Sequence, residues 1–409
     1  MGTYAYLTVG RHELLSMRND LDDGALSMFT ERDRLVGKSV TDSVVYQCRV
    51  GAALDRLEIQ GFTVGLAEEV FPSLLCSAMT GVKSASAEDV FGCTLPGEKL
   101  EDAKHRTLKY LTSYTYDRWR RTFRACIKYP NAESKSGSPS AFTRHGGGWM
   151  SRGFLEGFPL PDDGDTRYFL AAALSSFDVR ASVRLDLAEF SEFYGADDEV
   201  CGAPEPILVL TEGKTDADFL ERALRLLYPH AYEFYSFMDF EGAGLEGGAS
   251  RVVHYTRAFV AAKMRHRIVA LFDNDTAGIK EQRALTVRRL PAHVRALRLP
   301  DIPQNCSYPT VGPQENVRMN VNGLAASLEL YFPPSTVKNA GGKFEPVQWT
   351  GYDQKMKRYQ GQVINKDAIQ HRQDKLLDLC KSHPAEISKH DWSGLRAVFR
   401  LLFGAFATR

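Results

Sequence analysis

Two acidic clusters stand directly after short apolar runs. Ile207–Leu210 leads into Thr211-Glu212-Gly213-Lys214-Thr215-Asp216, and Ile268–Phe272 leads into Asp273-Asn274-Asp275-Thr276-Ala277-Gly278. Gathered carboxylates repel one another and lose hydration, so they are costly unless a cation offsets them. An all-oxygen set suits Mg²⁺ or Mn²⁺ rather than zinc. Two such ions about 4 Å apart can bracket the attacking and leaving oxygens of a phosphodiester, so hydrolysis of that bond is one chemistry the acids could support. Each cluster alone has a plainer explanation. An Asp-x-Asp is common, and Thr215 or Asp216 could N-cap the helix that follows. Their joint placement after two apolar runs favours the chemistry.

The surrounding pattern says how the acids would be held. Residues 207–210, 232–237, 268–272 and 294–299 read as strands. Residues 216–227, 251–265 and 276–290 read as helices, the first with Phe219, Leu220, Ala223, Leu224 and Leu227 on one side. A Gly-rich turn, 242–248, precedes the second helix. Such alternation predicts an α/β fold: a Rossmann-like parallel sheet with right-handed crossovers, whose ligands lie beyond the carboxyl ends of the strands.

The first part of the chain reads as mixed α+β. Tyr4, Tyr6 and Thr8 alternate with Ala5, Leu7 and Val9, as in a strand, and a polar segment runs on to about Lys38. Val44, Val45, Val50, Leu54 and Leu57 follow a helical period that Gly61 and Gly65 interrupt. Residues 67–79 and 108–127 read as further helices, and 181–187 alternates as a strand. The Ser/Gly-rich stretch 134–140 and Gly146–Gly148 have linker composition, which sets a boundary near 130–150. The expected organisation is an N-terminal domain 1–130, a linker and strand-containing connector 131–204, a domain 205–335 that carries both acidic clusters, and a helical extension 336–409.

Composition narrows the function. The 409 residues are 44% hydrophobic and 25% charged, enough for two or three domains with a sizeable core. Lys+Arg and Asp+Glu both number 51, which excludes a strongly basic chromatin-type binder but allows a local basic groove. No apolar run approaches the roughly 20 residues of a membrane span, and the N-terminus lacks the pattern of a secretory signal. Seven cysteines with no CxxC pair disfavour a disulfide framework or Cys-type zinc site and fit a reducing cytoplasm. Two stretches could track a polyanion. Residues 251–298 hold eleven Lys/Arg against three acids. Residues 108–128 interleave Lys109, Arg118, Arg120, Arg121, Arg124 and Lys128 with Tyr110, Tyr114, Tyr116 and Trp119, a mixture suited to backbone contact and base stacking, although charged helix faces and core aromatics look the same.

LeuThrGluGlyLysThrAsp (210–216) with LeuPheAspAsnAspThrAlaGly (271–278) resembles the Toprim domain, shared by topoisomerases, bacterial primases, small ribonucleases and the overcoming-lysogenization-defect (OLD) nucleases. The resemblance spans about 205–301. It implies that Glu212, Asp273 and Asp275 are metal-binding and catalytic acids. OLD-type enzymes carry a further acid after the core and a late lysine on the scissile phosphate. The matching positions are Glu329, in a predicted amphipathic helix 324–332, and Lys366, with Lys343 as competitor. The resemblance thus implies that the domain 205–335 is catalytic and that the extension 336–409 completes its active site. The start MetGlyThrTyrAlaTyrLeuThrValGly, with LeuGluIleGlnGlyPheThr (57–63), resembles the N-terminal domain of HEPN and Toprim proteins of prokaryotic defence loci. A HEPN ribonuclease would need an Arg-x4–6-His motif, and the first 200 residues contain none.

The resemblance therefore implies a metal-dependent nuclease acting on DNA or RNA, with Mg²⁺ or Mn²⁺, as the effector of an antiphage system. No Gly-x4-Gly-Lys-Ser/Thr occurs, so ATP control would come from another chain. A sensor or regulatory protein and a second copy of the chain are the expected protein partners. Two other readings stay open: a catalytically inactive Toprim fold that binds a partner, and a primase-type nucleotidyltransferase.

Overall fold

Period-two burial organises the first strand. In β1 (Tyr4–Val9) Ala5, Leu7 and Val9 are buried and the residues between are not. The computed structural model describes residues 3–35, 44–84, 97–128, 165–190, 200–202, 204–238, 248–312 and 316–407, and divides into two units, Met1–Ala203 and Pro204–Arg409. The predicted linker at 134–140 and 146–148, and the Gly-rich turn up to residue 247, lie outside the described residues.

The first unit contains an antiparallel sheet in the order β2–β1–β4–β3, built from β1, β2 (His12–Arg18), β3 (Val45–Arg49) and β4 (Ser182–Asp186). Its described helices are α1 (Asp23–Leu26), α2 (Val50–Gln60), α3 (Val64–Ser84), α4 (Gly97–Thr112), α5 (Tyr116–Lys128) and α6 (Thr166–Leu174). Several expectations change here. β2 lies in the stretch read as polar; its buried Leu14 and Met17 are three apart, and a register shift against β1 between Leu7 and Thr8 breaks the alternation. The helical period read across 44–57 is two elements, because Val45–Arg49 pairs with β4, a partner far away in sequence. The helix read at 108–127 is interrupted between α4 and α5.

The expected connector 131–204 also needs correction. Phe169–Leu174 of α6 are all buried in the core of this unit, and β4 lies between β1 and β3, so residues 165–190 belong to the N-terminal unit itself. The aromatics of the second basic stretch are core residues. Trp119 is fully buried and stacks on Tyr116 and Phe123, while Tyr114 and Tyr116 pack against Phe71. These rings have no face to offer a base; the side chain of Tyr110 lies outside the described residues.

The second unit carries the expected parallel sheet, in the order β6–β5–β7–β9: β5 (Ile207–Leu210), β6 (Tyr235–Phe237), β7 (Ile268–Phe272) and β9 (Val294–Arg298). Every residue of β7 is buried, as a central strand requires. Helices α7 (Lys214–Leu227), α8 (Ala249–Ala261) and α9 (Thr276–Thr286) alternate with the strands. Leu210, Ile268, Ala270 and Phe272 share a cluster with Val252 and Val253 of α8 and Leu285 of α9.

Beyond this core the chain departs from expectation. Residues 324–332 are not an amphipathic helix. Ala325–Ala326 forms β12, paired antiparallel with β8 (Asn274–Asp275), and Leu328–Tyr331 makes a short 3-10 turn with every residue buried. A segment buried on all sides turns no face to solvent, so the apolar spacing that reads as a helix stripe marks complete burial here. The extension 336–409 is not wholly helical either. β13 (Val347–Asp353) and β14 (Arg358–Val363) form a hairpin and complete a sheet ordered β11–β10–β13–β14 with β10 (Tyr308–Val311) and β11 (Asn316–Met319). Two helices follow, α10 (Lys366–Ser382) and α11 (Ser393–Phe403). Arg222 of α7 reaches Asp374 and Asp378 of α10, at 2.7 and 2.8 Å. Tyr228, just after α7, packs edge-on against Phe399 and Phe403 of α11.

α11 presses on the turn at 328–331 through a glycine. A Cβ on Gly394 would stand 2.4 Å from the Tyr331 carbonyl oxygen and 2.9 Å from its Cα, and backbone atoms cannot swing aside. Gly394→Ala is expected to lower stability by about 3 kcal/mol, the upper part of the overpacking range, measured by chemical denaturation. An unchanged midpoint would show that this contact is not tight in solution.

Candidate functional site

β5 and β7 are hydrogen-bonded neighbours running in the same direction, so the residues after them emerge side by side. Glu212 and Asp273 are those residues, and the Asp273 backbone N–H donates to Glu212 Oε1 at 3.0 Å. The chain then turns into α7 through an extended Gly213, which occupies the N-cap position. Asp216 is therefore in the first turn of α7 and not at its cap, with its carboxylate beside Gly213. Thr211, Glu212, Asp216, Asp273 and Leu328 line one small crevice at this end of the sheet.

α9 is held against the same point by another close approach. A Cβ on Gly278 would lie 2.2 Å from the Asp273 carbonyl oxygen, so only glycine allows the first turn of α9 to sit there. Asp275 is the N-cap of that helix: its Oδ1 accepts the Gly278 N–H at 2.6 Å, and its Oδ2 accepts Gln360 Nε2 at 2.7 Å.

Glu329 comes to the crevice from the buried 3-10 turn. It is 2% exposed, far from the solvated helix residue that its sequence neighbours suggest. Its carboxylate accepts the Ser327 hydroxyl at 2.6 Å and Gln370 Nε2 at 2.8 Å, and pairs with Lys366 Nζ at 2.9 Å. Lys366 opens α10, immediately after Asn365 in a left-handed conformation (φ 57°). Lys366 and Gln370 are one helical turn apart, so both reach Glu329 from the same face. Lys343, the competing lysine, lies exposed in a turn.

The charges conflict. Burial pushes the Glu212 carboxyl up to about 8, and repulsion from Asp275 and Asp216 adds to it, against the Asp273 amide and Lys366. Burial, with the negative charge of Glu329, pushes Asp216 up to about 7. Asp273 is raised well above the carboxylate range by burial and by Glu212, Asp216 and Glu329. Burial also works against the charge on Glu329, but the Lys366 ammonium and the Ser327 hydroxyl outweigh it and hold that carboxyl low. Lys366 is the reverse case: its side chain is 47% exposed, so the desolvation that disfavours its charge is outweighed by Glu329 and Asp216, and its pKa rises. A single ammonium faces four carboxylates, so Glu212, Asp216 and Asp273 are held above the ordinary carboxylate range while Glu329, paired with Lys366, stays low.

Of the residues singled out from sequence, Glu212, Asp273, Glu329 and Lys366 thus interact around one crevice. Asp275 stands beside it with its carboxylate committed to the helix cap and to Gln360. Among the described residues, no three Asp, Glu, His or Cys side chains are arranged to hold a metal ion. Sequence reasoning gave Asp216 only a capping role. Its place in the first turn of the helix that follows Glu212-Gly213 was the available signal. Gln360 had none, since its partner is 85 residues away.

Residues 1–192 match the family model described as HEPN/Toprim N-terminal domain 1. The N-terminal part of the chain is thus similar to a domain named for its association with HEPN and Toprim proteins. No curated protein and no solved structure matches the chain. No single helix among the described residues is long and apolar enough to cross a membrane.

The crowded acids make stability depend on pH. A carboxyl whose folded pKa is raised binds more protons folded than unfolded between its two pKa values, so stability falls as pH rises through that window. In EDTA, the melting temperature is expected to fall from about pH 5 to about pH 9, since Glu212 titrates near 8 and Asp216 near 7. Asp273→Asn should flatten this slope. Equal slopes in the two proteins would mean that the acids do not share a desolvated site.

Proposed function

We propose that this chain is a metal-dependent nuclease that hydrolyses phosphodiester bonds of DNA or RNA. The observation that carries the reading is the crevice itself: Glu212, Asp216, Asp273 and Glu329 with Lys366, at the carboxyl ends of adjacent parallel strands. The chemistry of the donor set suits a hard divalent cation, Mg²⁺ or Mn²⁺, because it is all oxygen, partly buried and short of positive charge, although its acids would have to draw together to hold one. The Toprim resemblance of 210–216 and 271–278, and the match of residues 1–192 to a HEPN/Toprim-associated domain, support the same reading. They also favour a cytoplasmic role in antiphage defence, alongside a sensor or regulatory protein.

Glu212 and Asp273 would hold the ion most directly, with Asp216 beside them and Glu329 serving a second position. Bound divalent ions would supply an activated water and offset charge on the leaving oxygen. Glu212 would have to release the Asp273 amide and turn inward. Lys366 would exchange part of its pairing with Glu329 for a non-bridging phosphate oxygen, where a fixed cation stabilises the charge that develops in the transition state. Asp275 would act by fixing the start of α9 and, through Gln360, the hairpin that borders the crevice.

A second reading is an inert Toprim-like fold used for binding. What favours it is that Asp275 and Glu329 are already satisfied by protein donors, and that the acids do not converge on one point. The two readings separate in one assay, incubation of the purified protein with DNA and with RNA in Mg²⁺, Mn²⁺ or EDTA.

Asp273→Ala is expected to abolish metal-dependent cleavage while the protein stays folded and, without metal, melts higher than wild type. Undiminished hydrolysis by the folded variant would remove the site from the chemistry. Glu329→Gln is expected to lower activity on the order of a hundredfold and to raise the metal concentration needed. Glu212→Gln combined with it should cost less than the sum of the two, because both belong to one charge cluster. Wild-type activity and metal dependence of Glu329→Gln would reduce the working set to the acids on β5 and β7.

A further inference from the structure

The hairpin β13–β14 carries an open aromatic surface that the crevice does not use. Tyr352 and Tyr359 are paired directly across the strands, with ring centroids 5.1 Å apart, yet they are 45% and 52% exposed. Trp349 continues the row, 5.9 Å from Tyr359 and half-buried. It lies over Gly361, where a Cβ would stand 3.0 Å from the indole ring. Val347 and Val363, at the base of the hairpin, are buried, so the row runs from the core outward into solvent. The tip between the strands adds Lys355 and Lys357, both exposed.

This hairpin is fastened beside the carboxylates. The Thr276 hydroxyl donates to the Tyr359 carbonyl at 2.6 Å, and Gln360 bridges the Ala277 N–H and the Asp275 carboxylate, at 3.0 and 2.7 Å. Lys280 of α9 pairs with Asp353 at 3.3 Å. A cross-strand tyrosine pair alone could be explained as hairpin stabilisation. That explanation does not require a third ring on the same face, rings left half open to water, or lysines at the tip.

We propose that the β13–β14 hairpin is a nucleic-acid arm that stacks unpaired bases on Tyr352, Tyr359 and Trp349 and contacts phosphates through Lys355 and Lys357. Aromatic rings take any base by its π-face, and bases offer that face freely only in an unpaired strand. A duplex keeps its bases stacked on one another and would meet only the lysines. The arm therefore selects single-stranded or locally unpaired substrate. Its attachment at Asp275 and α9 delivers the strand to the crevice. This last point rests on the nuclease reading; the stacking itself does not.

The test is binding of the full-length protein to fluorescein-labelled oligothymidylate and to a duplex of equal length, by anisotropy in EDTA so that nothing is cleaved. Y352A/Y359A should weaken single-strand binding about tenfold or more, with little change for the duplex. Y352F/Y359F, which keeps both rings and controls for hairpin folding, should bind like wild type. K355A/K357A should weaken both ligands and lessen the dependence on salt. Unchanged single-strand affinity in the folded Y352A/Y359A variant would overturn the proposal. So would equal losses for strand and duplex, or a change of oligomeric state in that variant, which would make the aromatic row a protein interface. The two proposals fail separately. An active nuclease indifferent to these tyrosines loses the arm and keeps the crevice. A protein that cleaves nothing but binds strands through the rings keeps the arm and loses the crevice.

Discussion

Negative charge without enough positive charge beside it is the constraint around which the second unit is arranged. Glu212, Asp216, Asp273 and Glu329 come from two strand ends, a helix and a buried turn, and among them stands Lys366. Burying one unpaired carboxylate is costly, and burying several together is worse, so a fold has no reason of stability to assemble them. The core next to the crevice has to offset that cost. It does so with the all-buried strand β7, the apolar cluster against α8 and α9, and α10 and α11 packed about α7.

Backbone closeness, more than side-chain reach, sets the geometry of the crevice. Gly278 lets α9 start in contact with the Asp273 carbonyl, and Gly394 lets α11 rest on the Tyr331 backbone. Each glycine sits where a methyl group would push a helix away from a neighbouring segment that carries one of the acids. Asp275 and Asn365 act at helix starts: one caps α9 with its carboxylate, the other turns the chain through a left-handed conformation so that α10 opens on Lys366. Acids and lysine are thus placed by helix beginnings and strand ends, where backbone direction changes sharply and side chains project together.

Legibility in the sequence followed the range of the interactions. The strands at 207–210 and 268–272 were readable because a buried parallel strand is a continuous apolar run, and their pairing brought the two acids together as the pattern implied. The N-terminal sheet was harder. Val44, Val45, Val50, Leu54 and Leu57 follow a helix-like spacing, and only the pairing of Val45–Arg49 with β4, remote in sequence, makes that part a strand. The turn that carries Glu329 was misread as an amphipathic helix because apolar residues on every side can mean a helix stripe or complete burial. Asp216 was visible but explained too simply, as a cap. The links of Gln360 to Asp275 and of Gln370 to Glu329 leave no local trace, since a glutamine matters there only through a partner that folding supplies.

The two-residue ladder between β8 and β12 has a consequence of its own. It staples Asp275 to Ala325, and so closes the stretch between them into a loop with pinned ends. Loop-closure entropy grows only slowly with length, so residues added in the turns of that excursion, outside α9, β9, β10 and β11, would cost little while the staple holds. The distance in sequence between the Asp-x-Asp acids and Glu329 is then nearly free to drift, whereas their distance in space is not. Distant cousins of this chain would be recognised less by counting residues from Asp275 to the next acid than by a short apolar pair, able to zip against the Asp-x-Asp strand, standing a few positions ahead of a glutamate.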